Sequence, residues 1–222
     1  IYADKKSNIK HYKIQNDNNT SSLIDNTFVS QEHSSSYNLH TFSFGGDLTR
    51  NNLNIFQNDQ RIESTINGIT IIDDEQHVDH NTLIHHKEPN CTSHQDYKGI
   101  YGGRSVGVFN GRVLVEKEAQ KTNAFQANNN VLISDKASIN TKPQLEIFAD
   151  DVRCSHGCTI GQLDNNALLY LRSRGIPEKE ATALMMFGFA NKVLVSVQNQ
   201  EIKSMINKII ASKLAVKIGF DL

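Results

Sequence analysis

The hydrophobic pattern divides the chain into a strand-like part and a helix-like part. Up to about residue 150, short apolar stretches alternate with polar positions at a period of two, as at Leu53 and Ile55 or at Val113 and Val115. Strands are predicted at 9–14, 38–44, 52–56, 68–72, 107–115, 130–133 and 144–148. No helical period interrupts this part, so βαβ units are not expected.

From Asp164 onward the period becomes helical. Asp164 can cap a helix over 165–174 that Gly175 ends, and Pro177 suits the first turn of a second helix. A third helix is predicted from about Asn199, where isoleucines recur at spacings of three and four. The sequence therefore predicts a strand-rich domain over 1–160 and a small helical domain over 161–222.

Many short strands are compatible with a sandwich, a barrel or a β-helix. Three features favour the β-helix. The inward positions are small or β-branched and spaced for stacked turns, Asn and Thr are frequent enough to form hydrogen-bonded ladders, and two-residue hairpin signals are scarce apart from Asn67-Gly68. We therefore predict a mainly β fold, a parallel β-helix followed by helices.

Charge and composition exclude several functions. The net charge of -1 provides no field that attracts nucleic acid or anionic lipid, and no apolar run reaches the roughly 18 residues of a membrane span. Three cysteines, without a secretory signal, argue against a disulfide framework and for a reducing compartment, so we expect a cytoplasmic protein.

Several segments together resemble the SufD family of iron–sulfur cluster assembly proteins. Residues 142–157 read KPQLEIFADDVRCSHG, and residues 168–176 read LLYLRSRGI. Upstream, the similar segments are QHVDHNT at 76–82, YKG at 97–99, GVFNGR at 107–112 and QKT at 120–122. The matches extend over most of the chain, and their combination is far more specific than any one of them.

The resemblance implies a right-handed parallel β-helix with C-terminal helices, acting as a non-catalytic scaffold. It implies a complex in which a SufB-like paralogue pairs with the ends of the β-helix, while a SufC-like ATPase docks on the helices and hydrolyses ATP. No cofactor is expected to bind tightly. The cluster is expected to be transient and to take ligands from the partner. Because an open-ended β-helix exposes strand edges, the isolated chain could also pair with itself.

Cys154 and His156 are the candidate ligands of the nascent cluster. Two residues apart on a strand, they would share one face, and a thiolate with a neutral imidazole suits iron. Two ligands are too few for a stable cluster, so a partner would supply the rest. Cys158 is in phase but stands where the family has a small residue without a thiol, so it is a weaker candidate. The alternative for the pair is a buried structural cysteine and a hydrogen-bonded histidine.

Other charged residues and histidines allow further interpretations. Arg172 and Arg174 could contact an acidic partner or simply favour a helix C-terminus. Arg104 and Arg153 could favour a Cys154 thiolate, although such arginines are more often merely solvated or salt-bridged. A stand-alone metal site could use a His-rich stretch near Cys91 that contains His77, His80, His85, His86 and His94.

A β-helix enzyme acting on carbohydrate is the remaining alternative. Such an enzyme needs grouped carboxylates, and Asp150-Asp151 is the obvious acidic pair near the end of the strand-rich part. Adjacent strand residues face opposite ways, and the chain contains no Trp to form a sugar platform, so we rank this function below the scaffold.

Overall fold

The structure, a computed structural model, describes residues 1–214. The strands are β1 Tyr2–Ala3, β2 Asn8–Gln15, β3 Ser22–Gln31, β4 Ser36–Ser43, β5 Leu48–Gln57, β6 Glu63–Ile72, β7 His77–His86, β8 Thr92–Tyr101, β9 Val106–Val115, β10 Asn123–Leu132, β11 Ser138–Ile147 and β12 Arg153–Gly161. The helices are α1 Asn165–Ser173, α2 Glu178–Leu194 and α3 Gln200–Lys213. Residues 215–222 of the predicted helical domain lie outside the described residues, and the division into domains 1–160 and 161–222 stays a prediction.

The strands wind into a parallel β-helix, which we call the coil. Odd-numbered strands form one six-stranded sheet in the order β1-β3-β5-β7-β9-β11, and even-numbered strands form a second in the order β12-β10-β8-β6-β4-β2. The register pairs Leu48 with His77 and His77 with Val106, so one turn takes about 29 residues. The predicted parallel β-helix is confirmed.

The alternating pattern of each strand places one set of side chains inside the coil. In the odd sheet the register stacks Val29, Ile55, Ile84 and Val113 in one row, and all four are buried. β-Branched side chains suit this position because they pack well against the same residue type on the neighbouring strand. The interior is therefore built from register-matched rows that run along the coil axis.

The ladders that the sequence predicted also occur on the outer face of the odd sheet. Asn52 Nδ2 donates to Asn26 Oδ1 at 2.9 Å, and Asn110 Nδ2 donates to Asn81 Oδ1 at 3.0 Å. Each pair is matched in register on neighbouring strands. Side chains one turn apart thus reach each other directly across the spacing of roughly 4.8 Å between strands.

The helices pack against the side of the coil. Phe42 and Ile69, on the even sheet, form one buried cluster with Ala190 of α2 and Ile206 of α3. This cluster covers the side of the coil and not its two ends. None of the helices within residues 1–214 is long and apolar enough to cross a membrane.

The helix boundaries follow the predicted signals. Asp164 caps α1, its Oδ1 accepting from the Asn166 backbone N–H at 2.8 Å, and Asn199 caps α3 in the same way through Ile202. Gly175 follows α1 with a φ of +87°, a left-handed conformation that favours glycine. The predicted positions of all three helix starts are confirmed.

Candidate functional site

The candidate residues lie where the coil ends. Within residues 1–214, β12 pairs with β10 on one side, and β11 pairs with β9 on one side. The other edges of β11 and β12 present backbone groups that no described strand pairs. We call this end of the coil, formed by β11 and β12, the open end.

Cys154 and His156 share the inward face of β12. The register pairs Cys154 with Ala124 and His156 with Gln126 of the neighbouring strand β10. Ala124 and Gln126 are both buried inside the coil. Cys154 is half-buried and packs on a cluster that includes Ala124 and Val113, whereas His156 is exposed. Both side chains belong to the last layer of the interior, and they are accessible because no further turn covers that layer within the described chain.

Cys158 lies on the same face of β12 as Cys154 and His156. It lies on Asn128 in register and is exposed, and β12 runs without a break through Gly157. Within residues 1–214, no group of three or more His, Cys, Asp or Glu side chains is arranged to hold a metal ion. The candidate pair Cys154 and His156 is therefore not completed by Cys158 or by any other described His, Cys, Asp or Glu side chain.

The Cys154 thiol is not pre-ionised. Burial raises its pKa, while a hydrogen bond from the Ala124 backbone N–H acts in the opposite direction. Arg153 is exposed beside it, and Arg104 lies in the turn between β8 and β9, with its guanidinium 3.6 Å from the Glu75 carboxylate. Neither arginine contributes to the pKa of Cys154, so the structure agrees with the alternative that they are solvated or salt-bridged. Metal binding would therefore have to release the proton.

The His-rich stretch is dispersed by the strand alternation. His80 and His86 point into the coil and are buried, whereas His85 lies outside, with Nε2 2.8 Å from Glu116 Oε1. His94 is also outside and stacks on Phe125 with ring centroids 4.8 Å apart. Cys91 is buried, and its Sγ donates to the Asp59 carbonyl at 3.2 Å. These side chains are used in packing and hydrogen bonds, and no described group of them forms the proposed stand-alone metal site.

The acidic pair and the two helical arginines occupy surface positions. Asp150 and Asp151 lie in the bend between β11 and β12 and not on a strand, which corrects the sequence interpretation. Arg172 Nη1 lies 3.3 Å from Glu178 Oε2, and the Arg174 guanidinium lies 5.2 Å from the centre of the Tyr170 ring. Both arginines are exposed and near the end of α1.

The sequence did not reveal the polar layer beneath the open end. Three buried side-chain oxygens in this layer or in the open end itself have no hydrogen-bond partner among the described residues: Gln126 Oε1, Asn130 Oδ1 and Thr141 Oγ1. Gln126 and Asn130 lie on β10, directly under β12, and Thr141 lies on β11. The run Asn128-Asn129-Asn130 inside a strand was the one available signal, since amides are unfavourable in a strand unless they are paired.

Comparison with known proteins gives a consistent result. The model of the SufBD core domain of the SUF system for FeS cluster assembly matches residues 1–189. A SufBD family iron–sulfur cluster assembly protein of Synechocystis is 38% identical over 194 residues, which cover 87% of this chain and 43% of that protein. The iron–sulfur cluster assembly protein SufD of Escherichia coli is 32% identical over 215 residues, 96% of this chain and 51% of that protein. The chain thus spans about half the length of these relatives.

Proposed function

Because the chain belongs to the SufBD core family, we propose that it forms the core of a non-catalytic scaffold subunit on which nascent iron–sulfur clusters are assembled. The observation that carries this proposal is the incomplete pair of Cys154 and His156 on the last, uncovered layer of the coil. The cluster is the cargo of this site and binds transiently. ATP hydrolysis belongs to a SufC-like partner.

The open end is the proposed contact with a SufB-like paralogue. The edges of β11 and β12 offer unpaired backbone groups that a strand of another chain can pair. Exposed apolar side chains also lie on or next to these strands: Phe148, which follows β11, is 62% exposed, and Ile160 of β12 is 49% exposed. A partner at this end would bury them and continue the sheets, and a second copy of this chain could occupy the same end when the paralogue is missing.

The ligand count supports a shared site. Iron–sulfur clusters are normally held by four protein ligands, whereas β12 offers the two candidates Cys154 and His156, with Cys158 as a weaker third. A partner that covers the open end would place its own side chains against the layer that contains Cys154 and His156. Iron binding would then displace the proton of the half-buried thiol, and this proton would pass to the solvent.

The helices are the proposed docking surface for the SufC-like ATPase. Leu169 and Tyr170 of α1 are 64% and 58% exposed, and a groove of about 650 Å³ beside α2 is lined by Met186, Ala183 and Leu214. Arg172 and Arg174 border the exposed side of α1, where an acidic partner surface would compete with the exposed Arg172–Glu178 ion pair. This surface lies on the side of the coil, so both partners can bind at once.

Replacing the ligand pair tests the site. We expect the natural full-length chain to co-purify with a SufB-like subunit and a SufC-like ATPase. The double variant Cys154→Ser, His156→Ala should reduce the yield of iron–sulfur clusters while its circular dichroism and its association remain unchanged. Ser155→Ala, on the outer face of the same strand, is the matched control and should keep the yield.

Two results would contradict the proposal. A normal cluster yield from the double variant would exclude Cys154 and His156 as the site. Turnover of a polysaccharide by the purified chain would replace the scaffold function with an enzymatic one. Cys158→Ser measures the weaker candidate separately, and a loss equal to that of the double variant would add it to the ligand set.

A further inference from the structure

One interior row of the even sheet changes from apolar to polar as it approaches the open end. The register stacks Leu39, Ile66, Gln95, Gln126 and His156 on successive strands. The first four are buried, and both glutamines have a relative exposure of 0%. A buried amide costs free energy unless it is hydrogen-bonded, so two stacked glutamines in this row need a reason.

The glutamines form a directed chain of hydrogen bonds. Gln126 Nε2 donates to Gln95 Oε1 at 2.7 Å, and Gln95 Nε2 donates to Thr82 Oγ1 at 2.7 Å. Each amide nitrogen donates to a residue farther from the open end. The oxygen of the last amide, Gln126 Oε1, therefore remains without a partner among the described residues. The chain therefore ends in a hydrogen-bond acceptor in the layer just below the open end.

The opposite wall of the coil makes room for this arrangement. Gly111 lies across the interior from Gln126, and a Cβ at Gly111 would overlap Gln126 Nε2 and approach Phe109. A larger residue at position 111 would therefore displace the amide from its bond to Gln95. The glycine in the GVFNGR segment, within a strand where glycine is otherwise unfavourable, is explained by this close approach.

His156 is the register neighbour of Gln126 on the side opposite to Gln95. Side chains matched in register on neighbouring strands bond directly elsewhere in the coil, as Gln126 and Gln95 do at 2.7 Å and Asn52 and Asn26 do at 2.9 Å. An imidazole N–H is a suitable donor for an amide oxygen. The ring of His156 stands exposed and has not turned in to make this bond.

We propose that Gln126 is a positioning residue for His156: its buried Oε1 accepts a hydrogen bond from one ring N–H when the imidazole turns into the coil. This bond fixes the neutral tautomer and aims the other ring nitrogen, with its lone pair, at the open end. The hydrogen bond itself is independent of the proposed function. Its consequence for cluster assembly rests on that function.

Nuclear magnetic resonance of labelled histidines tests the bond directly. The metal-free natural full-length chain would be labelled with ¹⁵N and ¹³C in histidine, sedimented and measured by magic-angle spinning, with His156 assigned from a His156→Gln variant. We expect one neutral tautomer to dominate at His156. Gln126→Met, which keeps the side-chain length but removes the acceptor, should give a mixture of both tautomers. Gln126→Glu, which in its protonated form keeps one acceptor and one donor, should restore the single tautomer.

Gln57→Met is the matched control. Gln57 is equally buried and its Oε1 also lacks a partner among the described residues, but it lies on β5, away from β12. We expect it to leave the His156 signals unchanged. Both tautomers in the wild-type chain, or one tautomer that survives Gln126→Met, would overturn the proposal.

Cluster yield separates this inference from the proposed function. If His156 is a ligand, Gln126→Met should lower the yield about tenfold or more, the usual effect of losing a partner that orients a ligating histidine, and Gln126→Glu should recover it. If the double variant of Cys154 and His156 keeps a normal yield, the proposed function fails while the tautomer measurement still decides the hydrogen bond. If the double variant loses the cluster yield but Gln126→Met keeps it, Gln126 has no role in cluster assembly.

Discussion

Two histidines inside the coil must be neutral while the chain is folded, and this makes the fold sensitive to acid. His80 Nε2 lies 3.0 Å from Thr70 Oγ1, and its ring centroid is 5.0 Å from that of Tyr97. His86 is bonded through Nε2 to Ser93 Oγ at 2.9 Å. Desolvation lowers the pKa of each histidine from 6.5 to about 3, with smaller contributions from Lys13 at His80 and from His85 at His86.

The sign and size of the effect follow from these pKa values. Below pH 6.5 the unfolded chain binds a proton at each site, whereas the folded chain does not until the pH nears 3. Stability is therefore complete above pH 6.5 and falls as the pH is lowered. Between pH 7 and pH 5 each histidine removes about 2 kcal/mol from the free energy of unfolding. The pair removes about 4 kcal/mol, a large part of the roughly 5–15 kcal/mol of a typical domain.

Urea unfolding followed by circular dichroism at pH 7 and pH 5 measures this loss. The fall in unfolding free energy between the two pH values should be about 2 kcal/mol smaller in His80→Gln than in the wild type, whatever the stability of the variant at pH 7. His94→Gln, at an exposed position on the outer face, is the control and should fall as much as the wild type. An equal fall in all three chains would refute the reasoning.

Two further changes test the packing and the helix boundaries. Gly68→Ala should destabilise the chain by about 1–3 kcal/mol because the new Cβ overlaps Cδ1 and Cε1 of the buried Tyr97 ring. Gly188→Ala, with open space around it in α2, should stabilise the chain by about 0.5–1 kcal/mol. Thermal unfolding measures both changes, and stability changes of the same sign in the two variants would contradict the contacts. Asn199→Ala removes the cap of α3 and should cost about 1 kcal/mol, while Asn199→Asp, which keeps an acceptor, should cost far less in the same assay.

Polar side chains at inward positions are one reason why the sequence predicted some strands and missed others. The strands β5 and β9 were predicted because residues such as Leu53 and Val113 alternate with polar neighbours. The strands β7 and β8 were not predicted, since His80 and Gln95 occupy inward positions and disrupt the alternation. Their hydrogen-bond partners, Thr70 and Thr82, lie on other strands, so a pattern within one segment could not reveal that these polar groups are satisfied.

The candidate site was predictable in its residues but not in its setting. The spacing of Cys154 and His156 indicated one face of a strand, and the structure places both on the inward face of β12. The position of β12 at the edge of its sheet could not be predicted, because it depends on the number of turns in the whole coil and not on the local sequence. The raised pKa of Cys154 was not predictable either, because its burial depends on packing against residues distant in sequence, such as Val113 and Ala124.

The hydrogen-bonded rows inside the coil also limit how its length can change during evolution. In arrays of interchangeable repeats, a turn can be duplicated or deleted because each one fits any neighbour. Here Gln95 bonds both Gln126 and Thr82, and deleting the turn that contains Gln95 would place the Gln126 amide next to the apolar Ile66. Homologues should therefore vary in the bends between strands while keeping a constant number of turns.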